Sequence, residues 1–347
     1  ECQKNSGFLT YAQFLQLDQF GQNGYHASYK DHGMTYTHKH WGKALAILAK
    51  KEGISHVLEF GPGRGDLVIE ILKESQKIGF DITWSGVELN KELIEEIKKR
   101  FQKLGYKNKL GELVTDIGLL KTKRKSIIFF SYSLDSIPPQ ILINTKNTKG
   151  APDALIGVSL NNGVLRETTL SKSELAKKRI KINNGVFKQD GISFDLSSWV
   201  LYPGQRAYIP IQTLSTLINF ADKFPTSTFV IIDEFRPPPY PWETGHYGIP
   251  KDLHRYRRDI GDLGKGYREA GENLLYYPIY FLTFYKFLNA LGFRSIRYDI
   301  EQRMAKEISQ ENWRSLKGLF STYAFVAQDK NNPVNPLPIE FPKTKLV

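Results

Sequence analysis

The sequence predicts an α/β fold: a doubly wound, largely parallel sheet with an inserted subdomain on the substrate side. Three observations lead there. Between residues 41 and 133, short apolar runs alternate with amphipathic helical stretches, as βαβ units covered on both faces require. The first run, VLEFGPGRGDL (57–67), passes through three glycines directly into a helical pattern. The alternation stops near residue 139, gives way to short strands over 150–200, and resumes at 211.

The chain has 347 residues, enough for one large domain or one domain with a sizeable insertion. Its hydrophobic content of 41% supports a packed core. The single cysteine, Cys2, excludes a disulfide framework and any cysteine-based metal cluster. That fits a reducing compartment, so a cytoplasmic location is expected, or the mitochondrial matrix in a eukaryote. The chain starts at Glu1 rather than Met, as a trimmed chain would, and shows no signal peptide. The most apolar window, 276–293, is interrupted by Lys286 and Asn289 and is short for a membrane span, so a buried helix is expected. The net charge of +12 comes from clusters at 98–109, 121–125, 177–181 and 254–258. Charge runs of this kind usually form solvated faces; a nucleic-acid or acidic-protein partner would also account for them.

In chain order, residues 8–19 suggest a short amphipathic helix, followed by a polar, glycine-bearing loop over 20–40. A helix over 41–51 puts Trp41, Ala44, Leu45 and Leu48 on one face and ends at Gly53. A strand over 55–60 precedes a helix over 66–76 that turns Leu67, Ile71 and Leu72 inward. A second strand spans 82–89; Asn90 caps a helix whose inner face carries Leu93, Ile94, Ile97 and Phe101. Strands follow at 112–116 and 125–133. The insertion, 140–205, holds strands at 154–160, 164–170 and 192–197 around a lysine-rich helix at 172–182. A helix over 211–223 and a strand over 227–233 restore the α/β pattern. The segment 236–275 is rich in Pro, Gly, Tyr and Arg, a long loop of the kind that carries function. A helix over 277–291 and strands at 294–300 and 321–328 close the domain, which runs from residue 41 behind an N-terminal segment, 1–40, expected to cover the ligand.

Ligands of doubly wound sheets sit beyond the carboxyl ends of the strands. Glycines there let backbone N–H groups approach a ligand, and the following helix points its positive end at the same place. Gly61, Gly63 and Gly65 form G-x-G-x-G, followed by Leu67 and Val68, whereas the full dinucleotide pattern G-x-G-x-x-G/A needs small residues at set later positions. Two ligand classes use such turns, dinucleotides and S-adenosylmethionine. Glu59 precedes the turn, suited to the methionine amino group. Glu88 ends the second strand, where a carboxylate accepts both ribose hydroxyls. Asp116, after the next strand, suits an adenine amino group or simply caps a turn.

The motif VLEFGPGRGDL resembles the MidA-like S-adenosylmethionine-dependent methyltransferases, whose mitochondrial relatives are complex I assembly factors. Other parts of the chain are similar: FLTYAQFL, Gly24-Tyr25 and GMTYT (33–37) stand where the family has its opening helix, GYY and GDF-x-T. SYSLDSIP (131–138) stands for N-E-F-F-D-A-L-P, keeping Asp135 and Pro138, and Asp233-Glu234-Phe235 stands for D-Y-G. GENLLYYPIYF (271–281) matches a late family segment chiefly at Leu274. The resemblance implies a Rossmann-like class I methyltransferase sheet, S-adenosyl-L-methionine as donor, S-adenosyl-L-homocysteine as product and a protein arginine as acceptor. It implies cofactor binding by Thr37, Glu59, Gly61, Pro62, Gly63, Arg64, Gly65, Glu88, Leu89, Asp116, Ser131 and Tyr132. The family's Asn-Glu pair has become Ser131-Tyr132, and the Tyr-Gly of D-Y-G has become Glu234-Phe235.

Methyl transfer is an in-line displacement on an activated donor, so the protein positions and desolvates. Asp135, Asp233 and Glu234 are the acids at strand ends that could hold a guanidinium, Asp135 being the family match. A protein substrate is therefore the expected partner. A methyltransferase-fold assembly factor with impaired catalysis is the alternative that the substituted pairs favour. A nucleic-acid methyltransferase accords with the charge, but SYSLDSIPP lacks the N/D-P-P-Y/F order that grips a flipped base. His26, His32, His38 and His40 fall in one segment without metal-site spacing, and no metal is expected. Tyr240, Trp242, His246 and Tyr247 make an aromatic patch that could hold a peptide or nucleotide, or pack on itself.

Overall fold

Strands buried on both faces, with amphipathic helices between them, lay the chain out in layers. The computed structural model describes residues 8–10, 12–13, 38–134, 137, 139–161, 164–183, 185–197, 201–204, 206–236, 279–311, 322–330 and 338–340. In order the elements are β1 (Phe8–Thr10), α1 (His38–Glu52), β2 (His56–Phe60), α2 (Asp66–Lys77), β3 (Thr83–Val87), α3 (Lys91–Lys103), β4 (Leu110–Val114) and β5 (Ile127–Ser131). The inserted region carries β6 (Gln140–Ile143), β7 (Ala154–Asn161), β8 (Val164–Thr169), α4 (Lys172–Lys177), β9 (Lys181–Asn183), β10 (Val186–Gln189), β11 (Ile192–Asp195) and β12 (Arg206–Ile209). Then come α5 (Ile211–Lys223), β13 (Thr228–Arg236), β14 (Ile279–Tyr280), α6 (Phe281–Ala290), β15 (Phe293–Ile300), α7 (Glu301–Ser309), β16 (Thr322–Lys330) and β17 (Pro338–Glu340).

The central sheet runs β15-β16-β13-β5-β2-β3-β4, with β14 beside β13. From β13 to β4 the strands are parallel. β16 lies antiparallel between β13 and β15. The chain steps outward from β2 through β3 to β4, then returns to β5 on the other side of β2. The carboxyl ends of β2 and β5 therefore flank a switch point, the place where such sheets open a crevice. Alternate strand residues serve opposite cores. Val57, Ile127, Phe129, Val230 and Ile232 join Trp41, Leu45, Leu72, Ile97 and Met304 of the helices on one face. Leu58, Ile128, Phe130, Phe229 and Ile231 join Leu217 and Phe220 of α5, Phe284 and Phe287 of α6, and Leu142, Leu155 and Leu170 of the insertion on the other. The insertion thus shares a core with the sheet.

A directed hydrogen-bond chain ties the amino ends of the parallel strands. Ser126 Oγ donates to the Arg124 carbonyl at 2.9 Å, so it must accept from His56 Nδ1 at 2.7 Å. His56 Nε2 is left to accept from Ser85 Oγ at 3.0 Å, and that oxygen accepts from the Glu112 amide at 3.0 Å. Each hydroxyl has one proton, so the order of donors fixes the neutral imidazole tautomer.

Most central elements form where the sequence predicts them, and the helix over 211–223 matches to the residue. Asn90 caps α3 by accepting from the Glu92 and Leu93 amides, and Leu93, Ile94, Ile97 and Phe101 are its buried face. The differences lie outside the parallel sheet. Residues 8–10 form a strand instead of starting a helix, because they pair antiparallel with β7 (Leu9 opposite Val158); a sheet edge with open backbone groups outweighs weak helical periodicity. The lysine-rich helix ends at Lys177, and Lys181–Asn183 pairs with β10. β10 and β11 meet across Asp190 (φ 50°) and Gly191 (φ 80°), a two-residue hairpin that the Asp-Gly pair favours. The helix expected over 277–291 is shortened to Phe281–Ala290, preceded by the two-residue β14. α7 is absent from the elements that the sequence predicts, although Met304, Ala305 and Ile308 have its helical spacing. No described helix is long and apolar enough to cross a membrane.

Phe130 stands at the junction of sheet and insertion. It is fully buried, with Phe60, Phe220 and Phe229 rings at 5.6, 5.1 and 6.2 Å. Phe130→Ala should cost about 3–5 kcal/mol in urea unfolding, the usual loss for a buried aromatic ring.

Candidate functional site

The glycine turn after β2 depends on conformations that other residues resist. Gly61, Gly63 and Gly65 have φ of 67°, 56° and 73°, all left-handed. Space is short as well: a Cβ on Gly61 would stand 3.1 Å from Ser133 Cβ, and one on Gly65 3.3 Å from Ile97 Cγ1. Gly65 also leads into α2, whose amino end no side chain caps. The first amides of α2, with its dipole, are therefore directed at the turn.

Two carboxylates and an arginine brace this backbone. Glu88 Oε2 accepts from the Gly63 amide at 3.0 Å, and its Oε1 accepts from the Asn90 amide at 2.9 Å. Glu59, at the end of β2, is buried beneath the turn and accepts from Trp84 Nε1 at 3.3 Å. Burial pushes its carboxyl up to about 8, against the Trp84 bond and with a contribution from Glu88 and Asp66. Arg100 of α3 donates to the Arg64 carbonyl, and to Asp66 Oδ1 at 2.7 Å. Arg64 itself pairs with Glu96 at 3.0 Å. Pro62 is buried in the turn; Leu89, next to Glu88, is 49% exposed and offers an apolar surface.

On the far side of the switch point, Ser131 ends β5 half-buried. Tyr132 follows with φ 48°. Its amide donates to the Ile232 carbonyl at 2.9 Å and its hydroxyl to Glu301 Oε2 at 2.7 Å. Asp233 is fully buried in β13 and accepts from the Leu134 amide at 3.0 Å, pinning the same turn. Asp116 accepts from the Gly118 amide at 2.6 Å, so it caps its own short turn. Glu234 continues β13 opposite Thr322 in backbone register, its side chain lying outside the described residues. Thr37, Asp135, His26 and His32 also lie outside them, as do the His38 side chain and the segment 237–275 with Tyr240, Trp242, His246 and Tyr247. His40 is half-buried in α1. The structure thus gathers Glu59, Gly61, Pro62, Gly63, Arg64, Gly65, Glu88 and Leu89 around one turn, with Ser131 and Tyr132 facing it across the switch point. Sequence reasoning misses Arg100 and Glu301. Arg100 is one more cation in a lysine-rich helix, and Glu301 belongs to the unexpected α7.

This arrangement fits S-adenosylmethionine. It combines glycine backbone that a Cβ would fill, an uncapped helix end, and carboxylates at two successive strand ends, one of them buried for a cationic group. It would hold the cofactor through Glu59, Glu88 and the turn amides, and leave the end of β5 for the acceptor.

Two expectations follow from these charges. Glu59 stays neutral in the fold up to about 8 against an ordinary 4.5, so its contribution is full below 4.5 and is lost as pH rises to about 8. His56 behaves in the opposite sense: burial, aided by Arg124 and opposed by Glu112, holds it down to about 3 against 6.5, so its contribution is lost as pH falls from 6.5. Between 4.5 and 6.5 the two slopes cancel. Above 6.5 the Glu59 slope stands alone of the pair, and urea unfolding of ligand-free protein should lose roughly 1.4 kcal/mol per pH unit up to about pH 8. Glu59→Gln should remove that share of the decline. Arg100→Ala should lower S-adenosyl-homocysteine affinity about ten-fold in calorimetric titration with a small change in melting temperature, because it unpins the turn without opening the core.

A family model described as "Putative S-adenosyl-L-methionine-dependent methyltransferase" matches residues 43–238, more than half of the chain. Among curated proteins none matches the chain. Two crystal structures of a protein from Burkholderia thailandensis, one of them bound to S-adenosyl-homocysteine, are similar in fold. Each is 13% identical, covers 96% of this chain and 91% of that one, and has a TM-score of 0.60. With the sheet order, the glycine turn and Glu88 in place, the chain belongs to the MidA-like family of S-adenosylmethionine-dependent methyltransferases.

Proposed function

We propose that this methyltransferase acts on a protein, with an arginine side chain as acceptor and Asp135 as the acid that orients it. One observation carries this reading. The turn after β5 runs close enough to Gly61 that a Cβ there would stand 3.1 Å from Ser133 Cβ, and its Leu134 amide is held by the buried Asp233. Asp135 is the next residue in the sequence after Leu134, which supports giving its carboxylate the acceptor-orienting role at the switch point.

The bound cofactor supplies an electrophilic methyl carbon; the remaining requirements fall on the chain. The glycine turn, with Pro62 and Arg64, and the Glu59 and Glu88 carboxylates hold the donor, and Leu89 covers its apolar part. Thr37, Asp116, Ser131 and Tyr132 complete the proposed binding set. A carboxylate at Asp135 aligns a guanidinium by two parallel hydrogen bonds and accepts the proton that the nitrogen loses on methylation. Asp233 holds the turn from below, and Glu234, next along β13, is the second acid proposed to meet the acceptor.

The reading as an assembly or binding factor with impaired catalysis has its own support. The family's Asn-Glu pair is Ser131-Tyr132 here, and the Tyr132 hydroxyl is engaged by Glu301. Methyl-labelled cofactor incubated with a cell lysate separates the two readings. Label in methylarginine supports the proposal; label in nucleic acid, or in no acceptor, overturns it. With the acceptor so found, Asp135→Asn should lower turnover roughly 100-fold while S-adenosyl-homocysteine affinity stays near wild type. Unchanged turnover would remove Asp135 from the mechanism, since asparagine caps a turn about as well as aspartate.

A further inference from the structure

The turn after β5 contains a conformational cost. Tyr132 has φ 48°, a left-handed backbone that a bulky residue with a Cβ rarely adopts. Such a residue persists only where its surroundings hold it. Here it is held at both ends: its amide donates to Ile232 in β13 at 2.9 Å, and its hydroxyl donates to Glu301 Oε2 at 2.7 Å.

Glu301 is itself tightly constrained. It is 7% exposed and begins α7, where the helix dipole favours a negative charge. Its other oxygen accepts from Trp41 Nε1 of α1 at 3.0 Å. Burying a carboxylate is an expensive way to join two helices to a sheet, and well-packed apolar side chains would join them at least as firmly. What the carboxylate adds is direction: two acceptor oxygens, one fixed by the indole, the other fixing the phenol. The residue after this left-handed one, Ser133, lies close enough to Gly61, the first glycine of the cofactor turn, that a Cβ there would stand 3.1 Å from Ser133 Cβ.

The geometry points to Glu301 as a positioning residue, which through the Tyr132 hydroxyl holds the turn after β5 against the glycine turn and so shapes the cofactor cleft. This rests on the assignment of that cleft to S-adenosylmethionine.

The test compares S-adenosyl-homocysteine affinity, by calorimetric titration, in wild type, E301Q, Y132F, Y132G and the E301Q/Y132G pair. With its oxygen on the Trp41 indole, glutamine offers the Tyr132 hydroxyl a donor where Glu301 offers an acceptor, so that bond must reverse and weaken; E301Q should weaken binding roughly ten-fold, and Y132F, which has no hydroxyl, by at least as much. Glycine adopts φ 48° without a Cβ, so Y132G needs no brace, and adding E301Q to it should weaken binding no further. A merely structural Glu301 would instead weaken binding equally in both backgrounds, and that result would overturn the proposal. If E301Q does not fold, Y132F against Y132G carries the same comparison. Amide exchange at residues 132–134 in ligand-free protein reads the turn directly and should quicken in E301Q; unchanged exchange would also overturn the proposal. A wild type that bound no S-adenosyl-homocysteine would overturn the cofactor assignment, and the exchange result would still decide on Glu301.

Discussion

One carboxylate holds two backbone amides at the centre of this protein. Glu88 accepts from Gly63 in the turn after β2 and from Asn90 at the start of α3. The three glycines of the turn have no side chains with which to hold its left-handed course, so much of its shape comes from its neighbours. Glu88 supplies a bond from the β3 side and Arg100 one from α3, while Ser133 on the β5 side leaves no room for a Cβ on Gly61. Because both amides belong to loop ends, the same contact that shapes the cleft also sets where α3 begins.

Three buried groups that burial shifts, His56, Glu59 and Glu301, show two kinds of behaviour. His56 donates to one hydroxyl, Ser126, and accepts from another, Ser85, and burial keeps it neutral, so it serves the sheet. Glu59 and Glu301 are acids whose burial raises them, and each is met by an indole N–H. An indole bonds a carboxyl group without supplying a counter-charge, so a cationic ligand group beside Glu59 would favour loss of its proton. The imidazole sits at the amino ends of the strands and the acids at the carboxyl ends. Stability and ligand chemistry are thereby kept at opposite ends of one sheet.

The insertion is joined to this sheet by burial rather than by a linker. Leu142, Leu155 and Leu170 lie in the same apolar cluster as Phe130 and Phe229. Its sheet takes β1 from the amino-terminal segment as a further strand. β1 thus pairs on the side of the molecule that carries the insertion, while α1 packs on the opposite face of the central sheet.

Interactions between near neighbours in the chain are legible from the residues themselves. The G-x-G-x-G turn, the Asn90 cap, and the inward faces of α2 and α3 follow from local rules of glycine, capping and helical period. The parallel order of the central strands follows because apolar runs alternating with helices have few ways to close. Distant pairings carry no such local mark. The bonds from Glu301 to Tyr132 and Trp41 join residues 169 and 260 positions apart. Phe8–Thr10 becomes a strand only because β7 offers an edge, and Arg100 differs from neighbouring cations only because the fold sets the Arg64 carbonyl beside it. The order of residues is enough to end the first strands of a doubly wound sheet in a glycine turn with two flanking acids. It is not enough to say which buried carboxylate braces the opposite turn. A hydrogen bond depends on the distance between two atoms, and for residues this far apart that distance exists only once the whole chain has folded.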